Sequence, residues 1–225
     1  KGGFDRVIRA MDLLREARAF FAFSITVTKH NVEEVVSDEF VDFMIEKGAG
    51  YGWYFLYCPI GRNPDVSLMP NAEQRNLLRL GVNRIRETKP ILVADFWADG
   101  PLSEGCLSGG RRYVHINNKA DVEPCIFIHY ATHNLRKTSL REALASEFFD
   151  AFRQSQPYGK NLLRPCPIID RPELLRNAVA RYGAYASDEG AEVTITELAE
   201  PLNQYAAGLR EVCRNRSARL IEAGQ

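Results

Sequence analysis

The sequence predicts an α/β fold, with repeated βα units around a parallel sheet followed by a small, irregular α+β region. Three observations carry this reading. Over the first 96 residues, apolar spacing alternates between helical and strand periods. Strand-like runs begin near residues 20, 51 and 91, the rhythm of βα repeats. After Phe96 the texture changes, and residues 97–110 are rich in Gly, Ser and Pro.

Each element has a local reason. Phe4, Val7, Ile8, Met11, Leu13 and Leu14 make a helical stripe within residues 4–19. Residues 20–28 are dense in β-branched and aromatic side chains, a strand. Asn31 is placed to cap a helix over 32–47, which Gly48 ends. Residues 51–58 read as a second strand, and the turns around Pro59 and Asn63 follow it. Residues 71–88 form a charged amphipathic helix, and 91–96 a third strand. Residues 112–117 and 122–129 form a hairpin around 118–121. Ser139 and Glu142 make a capping box for a helix running to about Gln154. Residues 157–170 are irregular, 172–182 a short helix, and 192–222 largely helical. Three strands are too few to close a barrel. The series opens on a helix, and on Lys1 rather than Met, so the expectation is the later half of a larger α/β domain.

The chain has 225 residues, with 29 Lys and Arg against 29 Asp and Glu. Zero net charge argues against a broad electrostatic grip on nucleic acid or anionic lipid. The best apolar run, 20–27, is far short of a bilayer span. Five cysteines are odd in number and too sparse for a disulfide framework, which favours a reducing, cytoplasmic setting.

Several residues are candidates for chemistry. Ser24, Thr26 and Thr28 share one strand face. Hydroxyls there suit ribose or carboxylate oxygens, although an edge strand facing water would show the same alternation. Asp95 ends a strand, where barrel active sites are built, or else caps a loop. Cys106, Cys125 and Cys166 all lie at Gly- or Pro-marked turns. Turn backbone N–H groups can point at a metal-bound sulfur there. By spacing alone, 19 and then 41 residues, three unrelated cysteines are the slightly better reading. Cys125, His129 and His133, with Cys106, offer zinc-type ligands. Cys213, in a charged helix, and Cys58, before Pro59, read as packing, Cys58 with a smaller chance of facing a lumen.

Taken together, the stretches 51–55, 59–62, 94–97, 105–113, 121–125 and 164–167 carry a resemblance. The chain resembles the C-terminal part of radical S-adenosylmethionine enzymes with a SPASM or twitch-type extension. The resemblance implies that residues 1–96 are the second half of a partial, six-unit α/β barrel. It implies an auxiliary 4Fe–4S domain over 97–185 and a helical extension over 186–225. Cys106 and Cys125 match the hairpin ligand pair, and Cys166 a downstream ligand. The family glycine five residues before the second cysteine is Ala120 here, and further downstream cysteines are absent. A reduced, single-cluster version fits, with its fourth position open or filled by His129, Asp170 or substrate. The family's Cys-x3-Cys-x2-Cys motif is also absent, which implies a truncated chain that is inactive alone. In the intact protein, the resemblance implies an oxidoreductase- or transferase-type radical enzyme. It would bind S-adenosylmethionine and a second 4Fe–4S cluster, and generate a 5′-deoxyadenosyl radical that acts on a peptide or small molecule. Ser24 and Thr26 would approach the cofactor, and flavodoxin or ferredoxin would supply electrons. The competing expectation is a non-catalytic zinc or iron–sulfur interaction module.

Overall fold

The structure, a computed structural model, describes residues 2–222, with side chains through Glu211. Cys213 therefore lies outside the described side chains. The chain forms two compact units. The first comprises the residues up to Tyr57 together with 68–99. The second comprises 58–67 and the residues from Gly100 onward, so the helices after 186 group with it rather than standing apart. Among the described residues, no helix is long and apolar enough to cross a membrane.

The first unit runs α1 (Gly3–Glu16), β1 (Ala22–Val27), α2 (Val32–Val35), α3 (Asp38–Glu46), β2 (Tyr51–Leu56), α4 (Ala72–Thr88) and β3 (Leu92–Asp95). The strands pair in parallel in the order β1-β2-β3, as βα repeats dictate. The expected helix over 32–47 is two helices. Ser37 breaks it, because its side chain accepts the Phe40 N–H at 3.2 Å and starts α3. Asn31 does not cap α2; its Oδ1 accepts from Thr28 N–H at 2.7 Å. Asn71 and Gln74 form a full capping box that opens α4.

One face of this sheet is packed under helices. Phe23, Val27, Tyr54, Leu56 and Val93 are buried there, each worth roughly 1.5–3 kcal/mol of transfer free energy. Phe23 meets Phe40 and Tyr54 edge to face, at 5.8 and 5.9 Å. The buried Tyr54 hydroxyl donates to Val35 O at 2.8 Å, which ties β2 to α2. Gly81 of α4 gives Val36 its seat, since a Cβ there would lie 2.6 Å from Val36 Cβ.

Pleat parity puts Ser24, Thr26, Trp53, Phe55 and Ala94 on the opposite face. Asp95 belongs to the packed face instead, in register with Tyr54. It is not a companion of Ser24 and Thr26. It is 2% exposed, and its Oδ1 accepts the Trp97 and Ala98 N–H groups at 3.1 and 2.9 Å. The side chain is a turn cap. Burial raises its carboxyl from 3.8 to about 6, against the pull of those N–H donors and of Arg75.

The second unit begins with Cys58–Ser67 and continues through α5 (Gly100–Ser103), β4 (His115–Ile116), β5 (Asp121–Glu123), β6 (Tyr130–Ala131) and β7 (His133–Asn134). Then come α6 (Leu140–Leu144), α7 (Glu147–Arg153), α8 (Pro172–Tyr182), β8 (Tyr185–Ala186), α9 (Ala191–Ile195) and α10 (Ala199–Glu222). The hairpin exists, with His115 opposite Glu123 and Ile116 opposite Val122. Its second strand stops at Glu123 rather than running to His129, because a tight bend pairs Cys125 with Ile128. The helix expected over 139–154 is likewise two, with Ser146 capping α7. Phe148, Phe149 and Phe152 of α7 are fully buried and form part of this unit's core.

Two predictions follow from these placements. Ala120 holds φ +71° in the hairpin turn, a conformation that costs a residue with a Cβ about 1 kcal/mol or more. Ala120→Gly should stabilise the protein by roughly 1 kcal/mol in urea unfolding. Asp95 binds its proton more tightly folded than unfolded. Its contribution is complete below its unfolded value of 3.8 and lost as pH rises through about 6. Urea midpoints measured across that window should fall with pH, and Asp95→Asn should flatten the fall.

Candidate metal centre

Three turns in the second unit present Cys106, Cys125 and Cys166. Each is built by local chemistry that fixes the backbone around the sulfur.

Cys106 follows two left-handed residues, Glu104 (φ +58°) and Gly105 (φ +114°). The Arg111 guanidinium donates to Ser103 O at 2.8 Å and Cys106 O at 3.1 Å, which closes the loop on itself. The Cys106 N–H donates to Gln156 Oε1 at 2.9 Å. Gly109 N–H donates to Pro124 O at 2.8 Å, so the first turn is fastened directly to the second.

Cys125 lies at the bend where β5 ends. Ile128 N–H donates to Cys125 O at 2.9 Å. The Tyr113 hydroxyl donates to the Cys125 sulfur at 2.6 Å. Cys166 opens a loop that Asp170 closes. The Asp170 carboxylate accepts the Cys166 N–H at 3.0 Å, while the Asp170 and Arg171 N–H groups both donate to Cys166 O at 3.1 Å. Asp170 is completely buried, and the Arg164 guanidinium donates to its carbonyl at 2.6 Å.

One pattern recurs at all three. Each sulfur accepts the backbone N–H two residues further on: Ser108 to Cys106 at 3.5 Å, Phe127 to Cys125 at 3.5 Å, and Ile168 to Cys166 at 3.4 Å. The buried Ser108 hydroxyl adds a 3.0 Å contact to the Cys106 sulfur. Amides aimed at sulfur stabilise negative charge there, as cluster-bound thiolates require. All three cysteines, and Cys58, are free of disulfides.

The electrostatics fit a site that needs a cation. Burial, and then the neighbouring Cys166, raises the Cys106 thiol to about 11. Burial, and then Cys106, pushes Cys125 up further. Burial also raises Cys166, but the hydrogen bonds it accepts from Cys58 and from the Ile168 and Ile169 N–H groups outweigh it, and its net shift is downward. Buried thiols such as Cys106 and Cys125 ionise when a metal supplies the compensating charge.

The other candidates are not brought together. His129 Nε2 faces Ile126 O at 3.2 Å, and His133 Nδ1 faces the Thr132 hydroxyl at 2.9 Å. Among the described residues, no group of three or more His, Cys, Asp or Glu is placed to hold a single metal ion. The zinc set of Cys106, Cys125, His129 and His133 is therefore not assembled. One ion needs all its donors about 2.3 Å from one point, whereas a cluster spreads its thiolates over several irons. Tyr113, Ser108 and Gln156 were not legible as site residues, because nothing in their spacing marks them as neighbours of a sulfur. In the first unit, Ser24 and Thr26 stand exposed on the unpacked sheet face beside Trp53 and Phe55.

Comparison with known proteins agrees with this geometry. Residues 106–167 match the SPASM family, described as an iron-sulfur cluster-binding domain. The chain is 25% identical to an AdoMet-dependent heme synthase of Nitratidesulfovibrio vulgaris, over 95% of this chain and 61% of that protein. It is 23% identical to an AdoMet-dependent heme synthase of Methanosarcina barkeri, over 83% of this chain and 58% of that protein. The chain thus spans about three fifths of the length of these curated relatives. The crystal structure of Streptococcus suis SuiB superposes with a TM-score of 0.52 at 18% identity, covering 67% of this chain and 40% of that one. Its S-adenosylmethionine-bound form gives 0.52 at 17% identity, covering 72% and 43%. These two show a shared fold. Residues 106–167 are thus a SPASM domain by their family match, and the chain as a whole is similar to AdoMet-dependent heme synthases.

Proposed function

We propose that this chain supplies the auxiliary iron–sulfur centre of a radical S-adenosylmethionine enzyme. Cys106, Cys125 and Cys166 are its ligands, and a 4Fe–4S cluster is the group they hold. The observation that carries the reading is the repeated amide-to-sulfur contact at all three cysteines. The three-stranded parallel sheet is read as part of a partial α/β barrel. Its exposed Ser24 and Thr26 face the cofactor side.

When bound, S-adenosylmethionine and its own cluster supply hydrogen-atom abstraction, and the auxiliary cluster supplies one-electron transfer. The chain's own residues do the rest. The turns at 104–112, 124–128 and 166–170 hold the sulfurs and keep water from them. Tyr113 donates to the Cys125 sulfur and stabilises negative charge on it. Ser24 and Thr26 offer hydroxyls that both donate and accept, suited to ribose or carboxylate oxygens. A one-electron carrier such as flavodoxin or ferredoxin is the partner this chemistry needs, in a reducing, cytoplasmic setting that keeps the thiols free. The substrate is a peptide or a small molecule, and the name of the relatives makes heme formation the first reaction to test.

Anaerobic reconstitution with iron and sulfide tests the reading. The chain should take up about four irons, and Cys106→Ala, Cys125→Ala and Cys166→Ala should each lose most of them. Zinc in place of iron would favour the interaction module instead, and no metal at all would overturn both readings. Tyr113→Phe should keep its iron but lower the cluster's reduction potential by roughly 60 mV, the worth of one hydrogen bond to sulfur in a one-electron couple.

A further inference from the structure

Three cysteines leave one iron of a four-iron cluster without a protein ligand. Two side chains near the turns have other duties. Asp170 spends its carboxylate on the Cys166 N–H. His129 turns Nε2 to Ile126 O, while its Nδ1 is buried without a hydrogen-bond partner. Pro167, Ile168 and Ile169, which follow Cys166, carry no side-chain group that could ligate iron.

Cys58 is different. It lies 48 residues before Cys106, yet the 58–67 segment folds with the second unit. The Pro59-Ile60-Gly61 turn begins at once, with Ile60 N–H on Cys58 O at 2.9 Å and Gly61 at φ +76°. Cys58 is 6% exposed. Its thiol is hydrogen-bonded to the Cys166 sulfur, and Cys125 and Asp170 are close enough to interact with it electrostatically. Cys58 is thus a buried thiol beside two of the three proposed cluster ligands, Cys125 and Cys166.

We propose that Cys58 is the fourth iron ligand of the auxiliary cluster, so that the site is closed by four cysteine thiolates. The proposal rests on the cluster reading and deepens it. On loading, the Cys58 S–H bond gives way to an S–Fe bond, and the proton leaves to solvent, as at the other three cysteines. A cluster with no open iron offers no inner-sphere position to substrate. Its role is then electron transfer rather than substrate binding.

The test reconstitutes the full chain, Cys58→Ala, Cys58→Ser and Cys106→Ala, and reads iron content and electron paramagnetic resonance. The wild-type chain should hold about four irons. Cys58→Ala should hold about three and show the signal of an oxidised three-iron cluster. Adding a small exogenous thiol should restore the fourth iron. Retention of about four irons and the wild-type spectrum in Cys58→Ala, while Cys106→Ala loses its iron, overturns the assignment of Cys58 and leaves the cluster reading standing. A wild-type chain that takes up no iron overturns both. If Cys58→Ala takes no iron or fails to fold by circular dichroism, Cys58→Ser, close to native in volume, decides. An altered spectrum supports the assignment, and a wild-type spectrum with full iron overturns it.

Discussion

The second unit depends on backbone amides aimed at sulfur. A small α+β region with short strands has few ways to hold loops still by packing alone. Here the loops are closed by polar contacts instead. Arg111 bonds to two carbonyls, Asp170 caps the Cys166 N–H, and Gly109 N–H bonds to Pro124 O. Each contact fixes a backbone whose next duty is to present an N–H to a thiol. Burial, and then the neighbouring sulfurs, raise the proton affinity of Cys106 and Cys125, so both stay protonated until a cation offsets the cost of ionising them.

The first unit is governed by another constraint, the two-residue period of a strand. One sheet face is packed with Phe23, Val27, Tyr54 and Val93. The other carries an aromatic ladder, Trp53 to Phe55 at 5.0 Å and Phe55 to Phe96 at 5.1 Å, beside two exposed hydroxyl residues. The same parity that makes Ser24 and Thr26 companions removes Asp95 from their company. Its carboxylate serves the turn after β3.

Much of this was legible in the sequence, and the misses have physical reasons. The helical and strand periods, the Asn71 and Ser139 capping boxes and the Gly48 stop were readable because they rest on neighbours four residues apart or fewer. Breaks at Ser37 and Ser146 were not, because a serine inside a helical stripe caps a second helix only if the chain turns there. Cys106, Cys125 and Cys166 stood out by their Gly and Pro neighbours. Cys58 did not, because its neighbours in space come from segments 48 to 108 residues away, and spacing carries no information about that closure. Asp95 was placed at the right strand end, and of the two roles open to it there the loop cap is the one seen, but its face was not legible. A pattern of four residues fixes parity only when the partner strand is known.

The hairpin turn holds one more lesson. Ala120 sits where glycine would be relaxed, and the turn forms nonetheless. Asn117 accepts the Lys119 and Asp121 N–H groups, and Asn134 donates to Lys119 O and Asp121 Oδ1. Side-chain amides have taken over the specification of a bend that backbone freedom could have supplied. A search pattern that insists on glycine at this place passes over such a chain, while one that reads the two asparagines together retrieves it. The signature of the turn is then a pair of residues 17 positions apart rather than a single invariant letter.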